Sequence, residues 1–320
     1  MKIDECYDKF LEALHARFVK KSQLAVKLME LLNIERGAVY RRLSKTIPFT
    51  FYEIVKIAIE WNISLDHIFN LQSEKIPFLM LPINYADPSD KHLDVLYQIV
   101  HPVHLLKDTA DTEIIDVCNK LPRNLYAGFR YLYRFYLFKW CYEYSVEKKT
   151  VTFSEVTVSE KTESFTNDYY QAIKNVHITS FIFDRCLFDY LVNDIQYYHS
   201  IRMITDEEKE FIKQDLYLLL NYLWEIASEG CYPDTQNHVN LYVSHLQVNT
   251  NYSYMFSNQL NVCYVPVFDK FELYTYNPKM VSHVKRWMQL KKRTSFQISE
   301  VDEKCRVEYF SRQRQLVDTL

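Results

Sequence analysis

Leucines recur three or four residues apart shortly after the N-terminus, which is the spacing of one face of a helix. They are Leu24, Leu28, Leu31 and Leu32. Ser22 precedes them, and its hydroxyl can accept a hydrogen bond from an unpaired backbone N–H at the start of that helix. Asn33 follows them, and asparagine tolerates the left-handed conformation that ends a helix at a sharp turn. The pattern therefore predicts a helix from Ser22 that turns at Asn33.

A second helix is predicted directly after this turn. Ile34 points inward across the turn, and Glu35 begins the helix, where a carboxylate suits the positive end of the helix dipole. Val39 and Leu43 lie four residues apart and face the core. The remaining positions of this helix form an outer face: Arg36, Gly37, Tyr40 and Arg41.

Three further helices complete the N-terminal region. Thr50 and Glu53, three residues apart, have the pattern of a capping box at the start of the next helix. Ser64 caps a short last helix. An amphipathic helix over residues 3–20 precedes all of them. The sequence thus predicts five helices within residues 1–70, and a three-residue turn joins the second of them to the third.

The stretch Ser22–Phe69 resembles the helix-turn-helix domain of the phage-repressor-like family, the Cro and xenobiotic-response-element group of bacterial transcriptional regulators. The matching pattern is Leu28-x3-Leu32-Asn33-Ile34-x4-Val39, then Phe51-x2-Ile54-x2-Ile57-Ala58-x4-Ile63-Ser64-Leu65-x2-Ile68-Phe69. The segment AVYRRL, followed by a proline and TFYEIVKIA, is also similar to bacterial regulators with a BetR-type domain. Met29 and Asn33 stand where the family usually has alanine and glycine. The resemblance covers about a fifth of the chain and implies a DNA-binding domain.

The resemblance also implies which residues contact DNA. In the family's register, Arg36, Gly37 and Arg41 fall where its members contact bases, and a guanidinium can bond O6 and N7 of guanine together. Glu35 and Tyr40 assist by accepting from cytosine or by contacting phosphate, although Glu35 also has a simpler role at the helix dipole. Candidate phosphate contacts are Ser22, Lys21, Lys27, Arg42 and Lys45. Local packing is the alternative role for Arg42.

Basic residues are concentrated in the same region. Residues 17–45 hold eight Lys or Arg and two Glu, a net charge of +6, whereas the whole chain carries −3. A basic patch confined to one part of an otherwise acidic protein favours local contact with phosphates over general binding of polyanions. A solvated charged face is the alternative interpretation.

Composition argues against several other classes of protein. The chain contains only three glycines, and the phosphate-binding loops of common nucleotide-dependent enzymes need several close together. No arrangement of His, Cys, Asp or Glu predicts a catalytic or metal site, so we expect no enzyme, cofactor or metal. Seven cysteines without a C-x-x-C pair indicate free thiols in a reducing cytoplasm. No apolar run reaches the roughly 18 residues of a membrane span.

The rest of the chain divides into a linker and two regions. Prolines stiffen residues 71–90 into a linker. Residues 91–230 predict a helical regulatory and dimerisation region, whose last helix begins at a capping box on Thr205 and ends at Gly230. Residues 231–320 contain runs of alternating, β-branched and aromatic positions, which predict a small α+β module.

Together these patterns predict a mainly α protein: an N-terminal five-helix helix-turn-helix domain, a central helical region and a small C-terminal α+β module. We expect a cytoplasmic, homodimeric transcriptional regulator that binds double-stranded DNA and responds to an unidentified small-molecule or peptide ligand. Two alternatives stay open. In the first, the helix-turn-helix serves as a protein-interaction module without base-specific DNA binding. In the second, the helical region binds a peptide, although the chain has no repeat of about 34 residues to support this.

Overall fold

The residues described by the computed structural model are 3–16, 18, 21–61, 63, 65, 68, 76–80, 102, 103, 106, 111–144, 151–267 and 271–320. The predicted linker over residues 71–90 lies largely outside them. The chain divides into two units, Met1–Pro77 and Phe78–Leu320, called unit 1 and unit 2 below. Across the described ranges, no helix is both long enough and apolar enough to cross a membrane.

Unit 1 is built from four described helices around one apolar core. They are α1 (Ile3–Ala16), α2 (Lys21–Leu32), α3 (Arg36–Leu43) and α4 (Phe51–Glu60). Each helix contributes apolar residues at helical spacing, and these meet in the middle of the unit. The most deeply buried members of the core are Phe10, Leu14, Leu24, Leu28, Val39 and Ile57.

The helix boundaries of unit 1 follow most of the predicted caps. The Thr50 hydroxyl accepts from the Glu53 amide and the Glu53 carboxylate accepts from the Thr50 amide, so the predicted capping box is confirmed. The prediction that Ser22 caps α2 was wrong, because α2 begins at Lys21 and Ser22 already lies within its first turn. The short helix predicted from Ser64 lies mostly outside the described residues.

Unit 2 is built on one mixed sheet of eight described strands. They are β1 (Leu79–Met80), β2 (Glu113–Cys118), β3 (Ile178–Asp184), β4 (His238–Ser244), β5 (Tyr252–Phe256), β6 (Asn261–Val267), β7 (Phe271–Thr275) and β8 (Phe296–Gln297). Their order across the sheet is β1-β7-β6-β5-β2-β3-β4-β8. The strands β2, β3 and β4 run parallel, and every other neighbouring pair is antiparallel.

Seven described helices cover the two faces of this sheet unequally. They are α5 (Arg123–Tyr126), α6 (Arg130–Tyr144), α7 (Glu160–Lys174), α8 (Leu187–Ser200), α9 (Asp206–Glu229), α10 (Pro278–Arg293) and α11 (Glu303–Asp318). Six of these helices cover one face of the sheet, and α10 covers the other. In strand β2, Ile114 and Cys118 belong to the cluster on the first face, and Ile115 and Val117 belong to the cluster with α10. Alternate side chains of a strand point to opposite faces.

The predicted fold class was wrong. Strands β2 and β3 lie inside the region predicted to be helical, and they form the middle of one sheet with the strands of the predicted C-terminal module. Both strands are almost entirely buried, because helices cover them on both faces. Unit 2 is therefore a mixed α/β structure in place of a helical region followed by a small α+β module.

The long helix α9 agrees with the sequence at both ends. Thr205 and Glu208 form the predicted capping box, and Gly230 ends the helix with a φ of 68°. Glycine suits that position because a left-handed backbone strains other residues. In its middle, the Asp215 carboxylate accepts from the backbone amides of Tyr131 and Leu132 at 2.6 and 3.0 Å. Helix α9 thereby caps the start of the buried aromatic helix α6.

Candidate nucleic-acid interface

The turn between α2 and α3 is tight. Asn33 has a φ of 53°, the left-handed conformation predicted for it. Glu35 is the N-cap of α3, and its carbonyl accepts from the amides of Ala38 and Val39 at 2.9 and 3.1 Å. The Glu35 side chain makes no capping hydrogen bond and is exposed. The second helix therefore begins where the sequence predicted, and the Glu35 carboxylate stays available at its positive end.

Helix α3 has one buried side and one exposed side. Val39 is fully buried, and Leu43 packs against the same core. The exposed side consists of Arg36, Gly37, Tyr40 and Arg41. Arg36 and Tyr40 are four residues apart, as are Gly37 and Arg41, so the members of each pair are neighbours on this exposed side. This face, together with Glu35, is called the reader face below.

Both arginines of the reader face are exposed. Neither Arg36 nor Arg41 forms an ion pair with any residue in the described part of the chain. The Arg36 guanidinium lies 5.7 Å from the centre of the Tyr40 ring, which orients it without neutralising it. Two exposed guanidinium groups five residues apart on one helix are suited to planar acceptor pairs such as the O6 and N7 atoms of guanine.

Gly37 leaves the middle of the reader face open. A Cβ atom at this position would meet only the Arg41 Nη1 atom, at 3.9 Å. That is ordinary van der Waals contact, so glycine is not required there by packing. The missing side chain at Gly37 leaves an atom-sized gap beside Arg36 and Arg41. The flat edge of a ligand can approach the helix closely at this gap.

Arg42 points away from the reader face and into unit 1. Its guanidinium bonds the Glu53 carboxylate through Nη2 to Oε1 at 2.7 Å and through Nε to Oε2 at 3.0 Å. It also donates to the Ala38 carbonyl at 3.3 Å. The hydrogen bond to Glu53 raises the pKa of Arg42. Local packing, the alternative role predicted for Arg42, is the one that the structure has.

A tyrosine of α1 supports the same corner of unit 1. The Tyr7 hydroxyl donates to the Arg42 carbonyl at 3.3 Å and accepts from the Phe49 amide at 2.9 Å. Burial is the main reason that the pKa of Tyr7 is raised. Together, Tyr7, Arg42 and Glu53 connect three helices at the end of α3. They fix the orientation of the reader face, and spacing along the chain gave no sign of their connection.

The other predicted phosphate contacts lie on α2 and directly after α3. Ser22 and Lys27 are exposed on α2, and Lys27 pairs with Glu30 at 2.8 Å. Lys45 follows α3 with a φ of 64° and pairs with Asp8. Both pairs are well exposed, and exposed pairs exchange their partner easily because water screens them. Lys21 is the first residue of α2.

Unit 2 contains a buried carboxylate that the sequence did not reveal. Asp116 sits on β2 with 4% of its surface exposed, and burial raises the pKa of Asp116 to about 6. Side-chain hydrogen bonds from Ser253 and Asn124 partly offset that effect. Asn124 itself is buried, and its Oδ1 atom has no hydrogen-bond partner among the residues that the structure describes. Asp116 lies within the short run IIDVC, whose other residues are apolar, so nothing in the sequence indicated that this carboxylate is buried in a strand.

A small cavity opens between α5, α6 and α7. Its volume is about 100 Å³, and its lining includes Gly128, Tyr133 and Thr166. Ligand pockets usually have roughly 300–1,000 Å³. A cavity of this volume holds a few water molecules. Within the described ranges, no three His, Cys, Asp or Glu side chains are grouped to hold a metal ion.

Similarity to known proteins does not extend these observations. Comparison of the chain with protein-family models, with curated proteins and with solved structures finds no match.

Proposed function

We propose that the protein is a sequence-specific regulator of transcription that binds double-stranded DNA through unit 1. The observation that carries this proposal is the reader face, an exposed helix surface directly after a three-residue turn. Its two arginines have no ion-pair partner among the described residues. A helix presented in this way fits the major groove, with its N-terminal residues at the base edges. The resemblance of Ser22–Phe69 to phage-repressor-like domains supports the same assignment.

The residues of the reader face have distinct roles under this proposal. Arg36 and Arg41 each bond a guanine through two hydrogen bonds, which contributes about 1–3 kcal/mol of discrimination against another base. Glu35 accepts from the amino group of cytosine, and Tyr40 contacts a base edge or a phosphate. Contacts to phosphate come from Ser22, Lys21, Lys27 and Lys45, and these position the domain without reading sequence. Arg42 serves to orient α3 instead.

A single reader face covers few base pairs, so useful specificity requires two. Two copies of α3 spaced about 34 Å apart would enter successive major grooves on one side of the duplex. The proposal therefore includes a homodimer in the cytoplasm of a bacterium, held together by residues after position 90. It also includes a small-molecule or peptide signal that changes the relative position of the two copies, by analogy with two-part regulators.

A different surface of unit 1 favours a second candidate function, a protein-interaction module. Helix α4 exposes three large apolar side chains: Phe51 at 81%, Tyr52 at 74% and Ile59 at 77%. Tyr52 and Ile59 lie two turns apart, so they share one face. Exposed apolar side chains on one face are typical of contacts with another protein. These side chains lie on α4 and the reader face lies on α3, so different substitutions test the two functions.

Selection of bound duplexes from a random DNA pool tests the proposed function. The full chain is incubated with the pool at about physiological salt, and bound duplexes are sequenced. We expect enrichment of a two-fold symmetric site whose half-sites are one helical turn apart. The control is the variant Tyr52→Ser/Ile59→Ser, which keeps the reader face and should select the same site. Folded protein that enriches no sequence would contradict the proposed function and favour the protein-interaction module.

A further inference from the structure

Helix α10 carries a concentrated positive charge. Residues 273–299 contain six Lys or Arg and no Asp or Glu, although the chain as a whole has a net charge of −3. All six lie within α10 itself. They are Lys279, Lys285, Arg286, Lys291, Lys292 and Arg293. No other helix of unit 2 combines this many cations with no acidic residue in the described part of the chain.

Two of the six cations face the sheet and have partners on its strands. Lys285 pairs with Glu113 of β2 at 2.9 Å and lies 4.9 Å from the centre of the Tyr254 ring. Lys292 is 3.9 Å from the same carboxylate and donates to the Ser180 hydroxyl at 2.9 Å. Burial lowers the pKa of Lys292. These two lysines hold α10 on the sheet, so they are structural.

The outward side of α10 is different. Lys279, Arg286 and Arg293 are exposed, and each is seven residues from the next. Seven residues make almost two helical turns, so the three cations form one stripe with a spacing of about 10 Å. None of them has an ion-pair partner in the described ranges of the chain. The helix is firmly capped by Asn277, whose carboxamide oxygen accepts from the Lys279 and Met280 amides.

We propose that this stripe of Lys279, Arg286 and Arg293 binds the phosphate backbone of duplex DNA. Charge complementarity favours a polyanion as the partner of this surface, because three exposed cations without an ion-pair partner in the described ranges lie on an otherwise acidic unit. The inference rests on the proposed function for its choice of duplex DNA. It adds a contact without sequence preference that lies in unit 2 and outside the helix-turn-helix. Each neutralised phosphate releases counterions, so the contact is strongly dependent on salt.

The experiment measures binding of the full chain to a fixed 30-base-pair duplex over a range of salt concentrations. The stripe variant is Lys279→Gln/Arg286→Gln/Arg293→Gln. Its matched control is Lys161→Gln/Arg185→Gln/Arg202→Gln, which also removes one lysine and two arginines. These three residues are exposed and lie on α7, directly after β3 and shortly after α8. All three cations in each set are exposed, so both variants should fold, and thermal unfolding verifies this.

We expect the stripe variant to reduce the slope of log affinity against log salt by about 2 to 3, since three contacts are lost. At low salt its affinity should fall at least about tenfold, while the control variant changes little. A stripe variant with the slope and affinity of the control would overturn the inference.

The two proposals can fail separately. Loss of duplex binding in the stripe variant, combined with no selected sequence, would sustain the inference and contradict sequence-specific regulation. A selected sequence that the stripe variant binds as tightly as the control does, with the same salt slope, would sustain the proposed function and overturn the inference. A full chain that binds no duplex at any salt concentration would overturn both.

Discussion

The Arg42 guanidinium and the Glu53 carboxylate meet in two hydrogen bonds of 2.7 and 3.0 Å that join helix α3 to helix α4. Both side chains are largely buried, with 15% and 12% of their surfaces exposed. Glu53 also accepts from the Thr50 amide as part of the capping box. One carboxylate therefore fixes both the start of α4 and the direction in which α3 presents its reader face.

Removal of Glu53 should destabilise unit 1 strongly. Glu53→Ala leaves the Arg42 guanidinium partly buried without its partner, which costs about 2–4 kcal/mol. Amide hydrogen exchange in α3 and α4 should accelerate by roughly 30-fold to several hundred-fold, because local opening becomes easier. The control is Lys27→Ala, which breaks the exposed pair with Glu30 and should change stability by less than about 1 kcal/mol. Equal effects in the two variants would contradict a structural role for the Arg42–Glu53 pair.

The Arg42–Glu53 pair predicts that the stability of unit 1 depends on pH in the acid range. Burial opposes ionisation of Glu53, but the hydrogen bonds from Arg42 and from the Thr50 amide outweigh it and lower the pKa of Glu53. A carboxylate with a lowered pKa in the folded state stabilises that state above its unfolded pKa of about 4.3 and ceases to do so as pH falls through the folded pKa. Exchange in α3 and α4, corrected for intrinsic rates, should therefore accelerate below about pH 4.5 in the native chain. Glu53→Gln should remove that step, and its persistence would assign it to another group.

The Asp116 carboxylate in unit 2 should have the opposite effect on how stability changes with pH. Its pKa is about 6 in the folded state and lies lower when the chain is unfolded, so the folded state binds the proton more tightly. The stability of unit 2 should fall as pH rises from about 4 to about 6, and Asp116→Asn should stabilise it at pH 7 by about 2–3 kcal/mol. Urea unfolding, followed by pulse-labelling hydrogen exchange of β2, measures this. Asp168→Asn, at an exposed position of α7, is the control. A destabilised Asp116→Asn variant at pH 7 would show that the carboxylate has a partner that compensates its burial.

Two glycines should respond oppositely to alanine. At Gly128 an added Cβ would lie 2.6 Å from the Tyr170 ring, so the tyrosine must move from its packed position. Gly128→Ala should destabilise unit 2 by about 1–3 kcal/mol. At Gly37 the same methyl group has space, and alanine favours a helix, so Gly37→Ala should stabilise unit 1 by up to about 1 kcal/mol. Thermal unfolding distinguishes the two, and a Gly128→Ala variant as stable as the native chain would contradict the close approach of Tyr170.

The helices of unit 1 could be predicted because their signals are local. The turn at Asn33 and the capping box at Thr50 each depend on residues within one or two helical turns. The partner of Arg42 could not be predicted in the same way. Glu53 lies eleven residues away and beyond a proline-containing loop, so neither helix period brings the two side chains together.

The sheet of unit 2 was missed for two physical reasons. Strands β2 and β3 are covered on both faces, so the alternation of apolar and polar residues that marks a half-buried strand is absent. Short apolar runs of this kind fit a buried helix equally well. The partners of β2 are also distant in sequence: Asp116 is opposite Ser253 on β5 and Phe181 on β3. The alternating and aromatic runs of residues 231–320 did indicate strands, and β4, β6 and β7 lie within them.

The measurement that tests the central claim most directly is selection from a random DNA pool with three proteins in parallel: the native chain, Arg41→Ala and Lys27→Ala. The reader face predicts that Arg41→Ala loses its preference at one or two base pairs in each half-site, with about 1–3 kcal/mol less discrimination there. Lys27→Ala should select the native site, bind every sequence somewhat more weakly and show a smaller salt slope by about 1. An unchanged site in Arg41→Ala, selected as strongly as by the native chain, would contradict the assignment of base recognition to α3.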